Sequence, residues 1–180
     1  MKVNTKKQSD LDFKLMSLTY KLRDFHLPRM NILKEVGIKE GFHVLDYGCG
    51  PGSYILPLAK LVGESGKIYA LDINPLAIQA VQGIVSKKQL KNVQTILSDC
   101  KTGLPPDGMD VVLLYDILHD LNDTSEILAE LHRILKRGCI LSVSDHHMQQ
   151  DEIISKVTSE RLFQLSTKGI RTYSFSNGQA

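Results

Sequence analysis

Three glycines at alternate positions follow a short apolar run near residue 44, and this arrangement constrains the chain more than any other feature. The run His43-Val44-Leu45 predicts a buried strand, and a helical pattern begins near Ser53. A strand that enters a glycine-rich turn and then a helix is typical of nucleotide-binding proteins. Glycine has no Cβ, so the backbone can turn tightly and approach a ligand, and the helix that follows directs free N–H groups to the same place.

The residue ahead of the glycines separates two kinds of nucleotide site. The order is Asp46-x-Gly48-x-Gly50-x-Gly52, whereas a dinucleotide fold uses G-x-G-x-x-G to hold a pyrophosphate. A carboxylate at this position would repel a pyrophosphate and suits a ligand with an ammonium group. The stretch resembles motif I of the class I S-adenosylmethionine-dependent methyltransferases, in which this pattern holds the methionine part of the cofactor. A purely structural tight turn is the alternative.

Length and composition place the chain among ordinary globular proteins. It has 180 residues, 42% hydrophobic and 23% charged, with a net charge of +2. This length predicts one domain with a substantial core, and the weak charge gives no clear nucleic-acid signal. No apolar run approaches the ~20 residues of a membrane span, and the N-terminus lacks the apolar segment of a signal peptide. Cys49, Cys100 and Cys139 are odd in number and far apart, which favours a reduced, cytoplasmic protein.

Residues 1–40 lie outside the alternating strand and helix pattern and form a predicted helical extension. An apolar stripe, here called the leucine stripe, recurs at helical spacing; its members are Leu11, Leu15, Leu18, Leu22 and Phe25. Leu27-Pro28 ends this helix, and Pro28 can open a second short one. Three roles remain open for the stripe: packing against the sheet or within its own unit, a lid over a ligand site, or a homodimer contact.

Residues 41–180 read as one domain of repeated strand and helix units. Later strands are predicted at 67–72, 93–97, 109–116 and 139–144, followed by a terminal hairpin with strands at 162–166 and 171–175. The run at 109–116 is almost continuously apolar, as a strand covered on both faces requires. Asp123 and Glu126 predict a capping box for the next helix, and Lys136-Arg137-Gly138 predicts its end. The expected fold is α/β: a Rossmann-like, doubly wound, seven-stranded sheet with a C-terminal antiparallel hairpin and N-terminal helices.

The resemblance to class I methyltransferases extends over about residues 30–176, because the later strands and the helix ending at Gly138 follow the family's order. Asp72 ends the second strand, where an acid can accept hydrogen bonds from ribose hydroxyls. Its alternative role as a helix N-cap is weakened by Asn74-Pro75, a better helix start. The resemblance implies that Ile73 lies against adenine, that Asp99 binds its amino group and that the carbonyl near Tyr115 binds the ammonium. The full predicted set is Asp46, Tyr47, Gly48, Cys49, Gly50, Gly52, Asp72, Ile73, Asp99, Cys100 and Tyr115.

The implied reaction is transfer of a methyl group from S-adenosylmethionine to a small-molecule or lipid-like acceptor by in-line displacement. Such an enzyme mainly aligns donor and acceptor, and it needs a base only if the acceptor loses a proton. His119 is the first candidate for that base, although a histidine that merely packs the helix entry fits equally well. His146-His147 fits a solvated loop. Acids such as Asp116 and Asp145 hold magnesium in catechol-type methyltransferases, but His146 replaces that family's asparagine, so no metal is expected.

The acceptor is constrained mainly by motifs that the chain lacks. No N/D-P-P-Y/F tetrapeptide and no Pro-Cys pair follow the fourth strand, and the three cysteines do not form a plausible arsenite site. These absences leave an acceptor of the kind used by the quinone- and sterol-type branch that the chain resembles. Two rivals remain: a binding protein that holds S-adenosylmethionine without turnover, and an NAD-dependent dehydrogenase. The glycine spacing and Asp46 argue against the dehydrogenase.

Overall fold

The computed structural model describes residues 10–121 and 123–178. Within the first helix it leaves out several side chains, among them those of Leu11 and Phe25. These two members of the leucine stripe therefore lie outside the described side chains.

Seven strands form one sheet in the order β3-β2-β1-β4-β5-β7-β6. The strands are β1 His43–Tyr47, β2 Lys67–Asp72, β3 Val93–Leu97, β4 Met109–Tyr115, β5 Leu135–Ser144, β6 Gln164–Lys168 and β7 Tyr173–Ser176. Strands β1 to β5 pair in parallel, while β7 runs antiparallel to both β5 and β6. The predicted doubly wound sheet with a terminal antiparallel hairpin is confirmed.

Helices cover both faces of this sheet. They are α1 Asp10–His26, α2 Arg29–Lys34, α3 Ile55–Val62, α4 Pro75–Lys88, α5 Ser125–Ile134 and α6 Gln150–Thr158, with a short 3₁₀ helix at Leu118–Asp120. Helix α4 begins as predicted, since the Asn74 side chain accepts a hydrogen bond from the Leu76 N–H at 2.9 Å and Pro75 is the first helical residue.

The core consists of two apolar clusters. Consecutive residues of β4, such as Val111 and Val112, belong to different clusters. Because successive side chains of a strand point to opposite faces, the clusters lie on the two sides of the sheet. This double burial explains the continuous apolar run of β4 and leaves the strand ends as the place for polar side chains.

The helix end predicted at Lys136-Arg137-Gly138 is wrong. Helix α5 stops at Ile134, and β5 begins at Leu135, which pairs with Met109 of β4. Lys136 forms an ion pair with Asp110 from within this strand. The capping box predicted for α5 is also wrong: Thr124 is the N-cap residue and makes no side-chain cap bond. A capping box is present instead at the start of α6, between Gln149 and Glu152.

Helix α1 turns the described part of the leucine stripe toward solvent. Leu15, Leu18 and Leu22 are 63%, 55% and 59% exposed, whereas Phe13 on the opposite face is 7% exposed. The packing role considered for the stripe is therefore wrong for these three leucines.

Among the described residues, no helix combines the length and apolar character needed to cross a membrane.

Candidate active site

A cavity of about 360 Å³ lies at the carboxyl ends of β1, β2 and β4, and it is called the first cavity. The glycine loop after β1 and the acid that ends β2 form one wall, and residues of α1 face them. Its principal lining residues are Asp46, Gly48, Cys49, Gly50, Asp72, Ile73, Tyr115, Asp116, Phe13, Met16, Tyr20 and Arg23. The carboxyl edge of such a sheet is the usual ligand site of open α/β folds.

The glycine loop depends on missing side chains at two positions. Gly48 has φ +77°, and a Cβ there would lie 2.5 Å from the Ile117 side chain. Gly50 has φ +50°, and a Cβ there would point into the first cavity, 3.8 Å from the Tyr20 ring. The loop is attached to β2, because the Gly48 N–H donates to the Leu71 carbonyl at 2.8 Å. A ligand can therefore approach the backbone at Gly50 closely.

Asp46 is a buried carboxylate with an unused oxygen in the wall of the first cavity. It is 2% exposed, and its Oδ2 has no hydrogen-bond partner among the described residues. Burial, with added repulsion from Asp72, raises its pKa to about 7. An unpaired buried carboxylate is costly, and a cationic ligand group beside Oδ2 would remove that cost.

Asp72 holds the glycine loop and the start of α4 together. Its Oδ2 accepts from the Gly50 N–H and its Oδ1 from the Asn74 N–H, both at 2.8 Å. Burial raises its pKa despite these bonds. Because Asn74 is the helix cap, the alternative role of Asp72 as N-cap is excluded. Each carboxylate oxygen can accept a second hydrogen bond, so Asp72 remains able to bind a pair of hydroxyls.

The structure brings seven of the eleven predicted binding residues into the lining of the first cavity: Asp46, Gly48, Cys49, Gly50, Asp72, Ile73 and Tyr115. The other four lie elsewhere. Tyr47 points to the other side of the sheet and donates to the Asp99 carbonyl at 3.0 Å. Gly52 packs against α4, where a Cβ would lie 2.9 Å from Ile84. Asp99 is exposed and Cys100 half-buried, both beyond the lining.

Sequence reasoning considered α1 as a lid over a ligand site but missed which of its residues line this cavity. Arg23 donates to Asp116 Oδ2 at 3.1 Å and lies over the Tyr20 ring, 4.2 Å from its centre. Phe13, Met16 and Tyr20 recur at spacings of three and four, which is a second apolar face of the same helix. That spacing was the available signal, but the longer leucine stripe obscured it.

A second cavity, of about 340 Å³, adjoins the first and shares Arg23, Tyr54 and Asp116 with it. Its other lining residues are Leu27, Arg29, Ile32, Ser144, Asp145, His146, Ile170, Arg171 and Tyr173. Asp116, directly after β4, therefore stands at the junction of the two cavities.

Two histidine–aspartate pairs lie at this edge of the sheet. His119 Nδ1 is 2.8 Å from Asp145 Oδ2. The backbone N–H groups of His119 and His147 also donate to this carboxylate. Burial opposes these hydrogen bonds, but together they lower the pKa of Asp145. His119 lines neither the first nor the second cavity; it borders a shallow hollow beside α6.

The second pair is His146 and Asp116, with His146 Nδ1 2.8 Å from Asp116 Oδ1. Unlike His119, His146 lines the second cavity. Within residues 10–121 and 123–178, no three His, Cys, Asp or Glu side chains are grouped to hold a metal ion.

The doubly wound sheet carries a cavity at its carboxyl edge, and a glycine loop and two acids line this cavity. These features are typical of a nucleotide-binding site. Residues 38–177 match a family model described as a methyltransferase domain. The chain therefore belongs to the methyltransferase-domain family.

The matched relatives agree with this family. A solved S-adenosylmethionine-dependent methyltransferase from Aquifex aeolicus superposes with a TM-score of 0.76 at 26% identity, over 89% of this chain and 97% of that one. A demethylmenaquinone methyltransferase from Geobacillus sp. (strain WCH70) is 30% identical over 61% of this chain and 47% of its own length. A ubiquinone/menaquinone biosynthesis C-methyltransferase, UbiE, from Marinomonas sp. (strain MWYL1) is 28% identical over 76% of this chain and 55% of its own. The chain spans about half the length of these curated relatives.

Proposed function

We propose that this chain transfers a methyl group from S-adenosylmethionine to a small-molecule acceptor. The observation that carries the proposal is the buried Asp46 in the wall of the first cavity, whose Oδ2 lacks a partner in the part of the chain that the structure describes. The methionine part of S-adenosylmethionine carries an ammonium group that would pair with this oxygen. When bound, the cofactor supplies an already activated methyl group, so the protein's work is to bind, orient and exclude water.

The residues of the first cavity fit this cofactor at four points. Asp46 would hold the ammonium, and the bare backbone at Gly50 leaves room for the methionine moiety. Asp72 would accept the two ribose hydroxyls through its remaining lone pairs. Ile73, 41% exposed beside Asp72, would cover one face of adenine. The roles of Asp99, Cys100 and the Tyr115 carbonyl rest on the family resemblance alone.

Helix α1 would act as the lid of this site. It contributes Phe13, Met16, Tyr20 and Arg23 to the lining of the first cavity, opposite the glycine loop. A cover over the reacting groups keeps out water and competing nucleophiles. Residues 1–40 would then be a functional extension of the domain that continues from residue 41.

The acceptor would be a small organic molecule bound in the second cavity. Leu27, Ile32, Ile170 and Tyr173 give this cavity apolar walls, while its junction with the first cavity is polar. Curated relatives are named for demethylmenaquinone and for ubiquinone and menaquinone biosynthesis, which supports an acceptor with an apolar body. The base role predicted for His119 stays a prediction, since His119 has a carboxylate partner but lies outside both linings.

Titration calorimetry with S-adenosylmethionine, S-adenosylhomocysteine and NAD tests the cofactor assignment. We expect the first two to bind and NAD not to bind. Gly50→Val should abolish binding, because φ +50° strains a branched residue and its side chain would fill the space beside Tyr20. Circular dichroism would check that this variant folds. Binding of NAD alone, or undiminished affinity in a folded variant, would contradict the proposal.

A non-catalytic binding protein remains the rival of this function. Both candidates bind the cofactor, so only turnover separates them. Conversion of S-adenosylmethionine to S-adenosylhomocysteine should accelerate when hydroxylated aromatic acceptors are added one at a time. Tight binding with no acceleration across such a panel would favour the binding protein.

The cellular compartment and the oligomeric state of the protein are also part of the proposal. The unpaired cysteines Cys49, Cys100 and Cys139 support a reducing compartment such as the cytoplasm. The exposed leucines of α1 are compatible with the homodimer contact predicted from the sequence, and analytical ultracentrifugation would test it.

A further inference from the structure

We propose that His146, oriented by Asp116, is the general base of the reaction, and that it acts on an acceptor hydroxyl which ionises to an oxyanion in the second cavity. This inference rests on the proposed function, because it places the acceptor beside the cofactor cavity.

Asp116 is held in a conformation that its neighbours impose. Its φ is +52°, in the left-handed region that a non-glycine residue seldom adopts. The Asp116 N–H nonetheless donates to the Ser144 carbonyl at 2.7 Å, which ties the end of β4 to the end of β5. This conformation directs one carboxylate oxygen to Arg23 and the other to His146.

The hydrogen bond to Asp116 selects the tautomer of the neutral His146 ring. A carboxylate only accepts, so Nδ1 carries the hydrogen and Nε2 of the neutral ring keeps a free lone pair. The His146 side chain is 63% exposed and lines the second cavity. Its Nε2 can therefore take a proton from a bound molecule and release it to solvent. The arrangement resembles the carboxylate–histidine pairs that other enzymes use to orient a base.

Arginine side chains around the second cavity can stabilise an acceptor that becomes negative. Arg23, Arg29 and Arg171 line it together with Asp116 and Asp145. Both carboxylates are already engaged by histidine or arginine partners. Asp24 pairs with both Arg23 and Arg29.

Arg29 adds an unsatisfied donor to these arginine side chains. It is 6% exposed, and its Nη2 is buried without a partner in the described part of the chain. Its Nε is used by Asp24 at 2.9 Å. A buried donor without a partner is costly, and an oxyanion in this cavity would lower that cost by electrostatic attraction.

The proton transfer balances without any further reactant. The acceptor O–H bond breaks, the proton goes to His146 Nε2, and the electron pair stays on the oxygen, which becomes the nucleophile. The imidazolium that forms is stabilised by Asp116, and the oxyanion by the guanidinium groups. Phenols and enols form such oxyanions readily, whereas amines do not.

A coloured phenol makes this ionisation visible without turnover. 4-Nitrophenol is yellow only as the phenolate, so its absorbance reports its charge in the bound state. The dye is titrated into the full-length protein with and without saturating S-adenosylhomocysteine. We expect the bound dye to be ionised to a several-fold greater extent than free dye at the same pH. Bound dye that is no more ionised than free dye, or absence of binding, would overturn the inference.

Variants locate the base. His146→Gln should remove the excess ionisation, and Asp116→Asn should reduce it, because the ring then loses its orienting carboxylate. His43→Gln, at the amino end of β1, is the matched control and should leave the ionisation of the bound dye unchanged. An unaltered signal in a folded His146→Gln protein would refute the role of His146. Calorimetry with S-adenosylhomocysteine on the same samples separates the two proposals, since the cofactor can bind normally while the dye stays neutral.

Discussion

At the scale of single residues, the two acids of the first cavity have different tasks although they stand close together. Asp46 Oδ2 has no partner among the described residues, while both oxygens of Asp72 are engaged by backbone N–H groups. A cationic ligand would offset the cost of burying the Asp46 carboxylate, whereas Asp72 also supports the loop. Their substitution should therefore have different consequences.

Replacing Asp46 by Asn should stabilise the free protein and weaken cofactor binding. The pKa of Asp46 is about 7 in the folded chain and about 4 in an unfolded one. Folding stability is thus lost as pH rises from about 4 to about 7. Asp46→Asn escapes this loss, so its melting temperature should exceed that of the parent increasingly over this range.

Affinity for S-adenosylmethionine should show the opposite dependence. It should rise in the parent between about pH 6 and about pH 7.5 as Asp46 ionises, while the ligand's amino group remains charged. Asp46→Asn should bind weakly at every pH in this range. Calorimetry on both proteins measures this, and a pH-independent affinity in the parent would contradict the assigned charge.

Asp72→Ala should lower both affinity and stability. Hydrogen bonds to charged groups contribute roughly 1.5–3 kcal/mol, so loss of the ribose contact should weaken binding about tenfold to a hundredfold. The free protein should also melt earlier, because the N–H groups of Gly50 and Asn74 lose their acceptor. Asn74→Ala is the comparison: it removes the α4 cap, costing about 1 kcal/mol, with a smaller effect on affinity. If Asn74→Ala weakened binding more than Asp72→Ala does, that result would contradict the ribose role of Asp72.

These residues were predictable to different degrees. Glycines and acids at strand ends are local signals, and seven of the eleven predicted residues line the first cavity. The pKa of Asp46 was not predictable, since burial depends on distant elements. His146 was interpreted as part of a solvated loop because its partner, Asp116, lies thirty residues earlier.

At the scale of elements, α1 carries two apolar faces, and the sequence alone does not decide which one packs. The leucine stripe is longer, but Phe13, Met16 and Tyr20 face the first cavity. The end of α5 posed a similar problem. Basic residues followed by glycine are typical of a helix end, yet Leu135 pairs with Met109 and continues as a strand. Both choices are made by tertiary contacts.

If α1 is a lid, S-adenosylhomocysteine should slow hydrogen exchange of its backbone amides. The ligand would contact the face formed by Phe13, Met16 and Tyr20 and hold the helix against the glycine loop. Helix α6, which lines neither cavity, is the internal control. Arg23→Gln should reduce the added protection, since the tie to Asp116 is lost. Equal exchange in α1 with and without ligand would favour a static packing role.

At the scale of the whole molecule, the order of the strands in the sheet determines where the helices and the two cavities lie. Parallel strands buried on both faces gave strong sequence signals, so the fold class was predictable from patterns within single segments. The meeting of two cavities at Asp116 was not, because it brings together α1, α2, β4 and the hairpin of β6 and β7. Such a meeting exists only once the sheet is assembled.

Arg23 belongs to the lining of both cavities, and a residue shared in this way would make the two ligands thermodynamically interdependent. If S-adenosylhomocysteine tightens 4-nitrophenol binding by some factor, the dye must tighten S-adenosylhomocysteine binding by the same factor. We expect that factor to exceed one in the parent and to fall toward one in Arg23→Gln, measured by four titrations. Independent binding in the parent would contradict this. A reciprocal coupling of this kind would favour the complete ternary complex over either half-filled state, so that a donor held without an acceptor is readily released rather than hydrolysed.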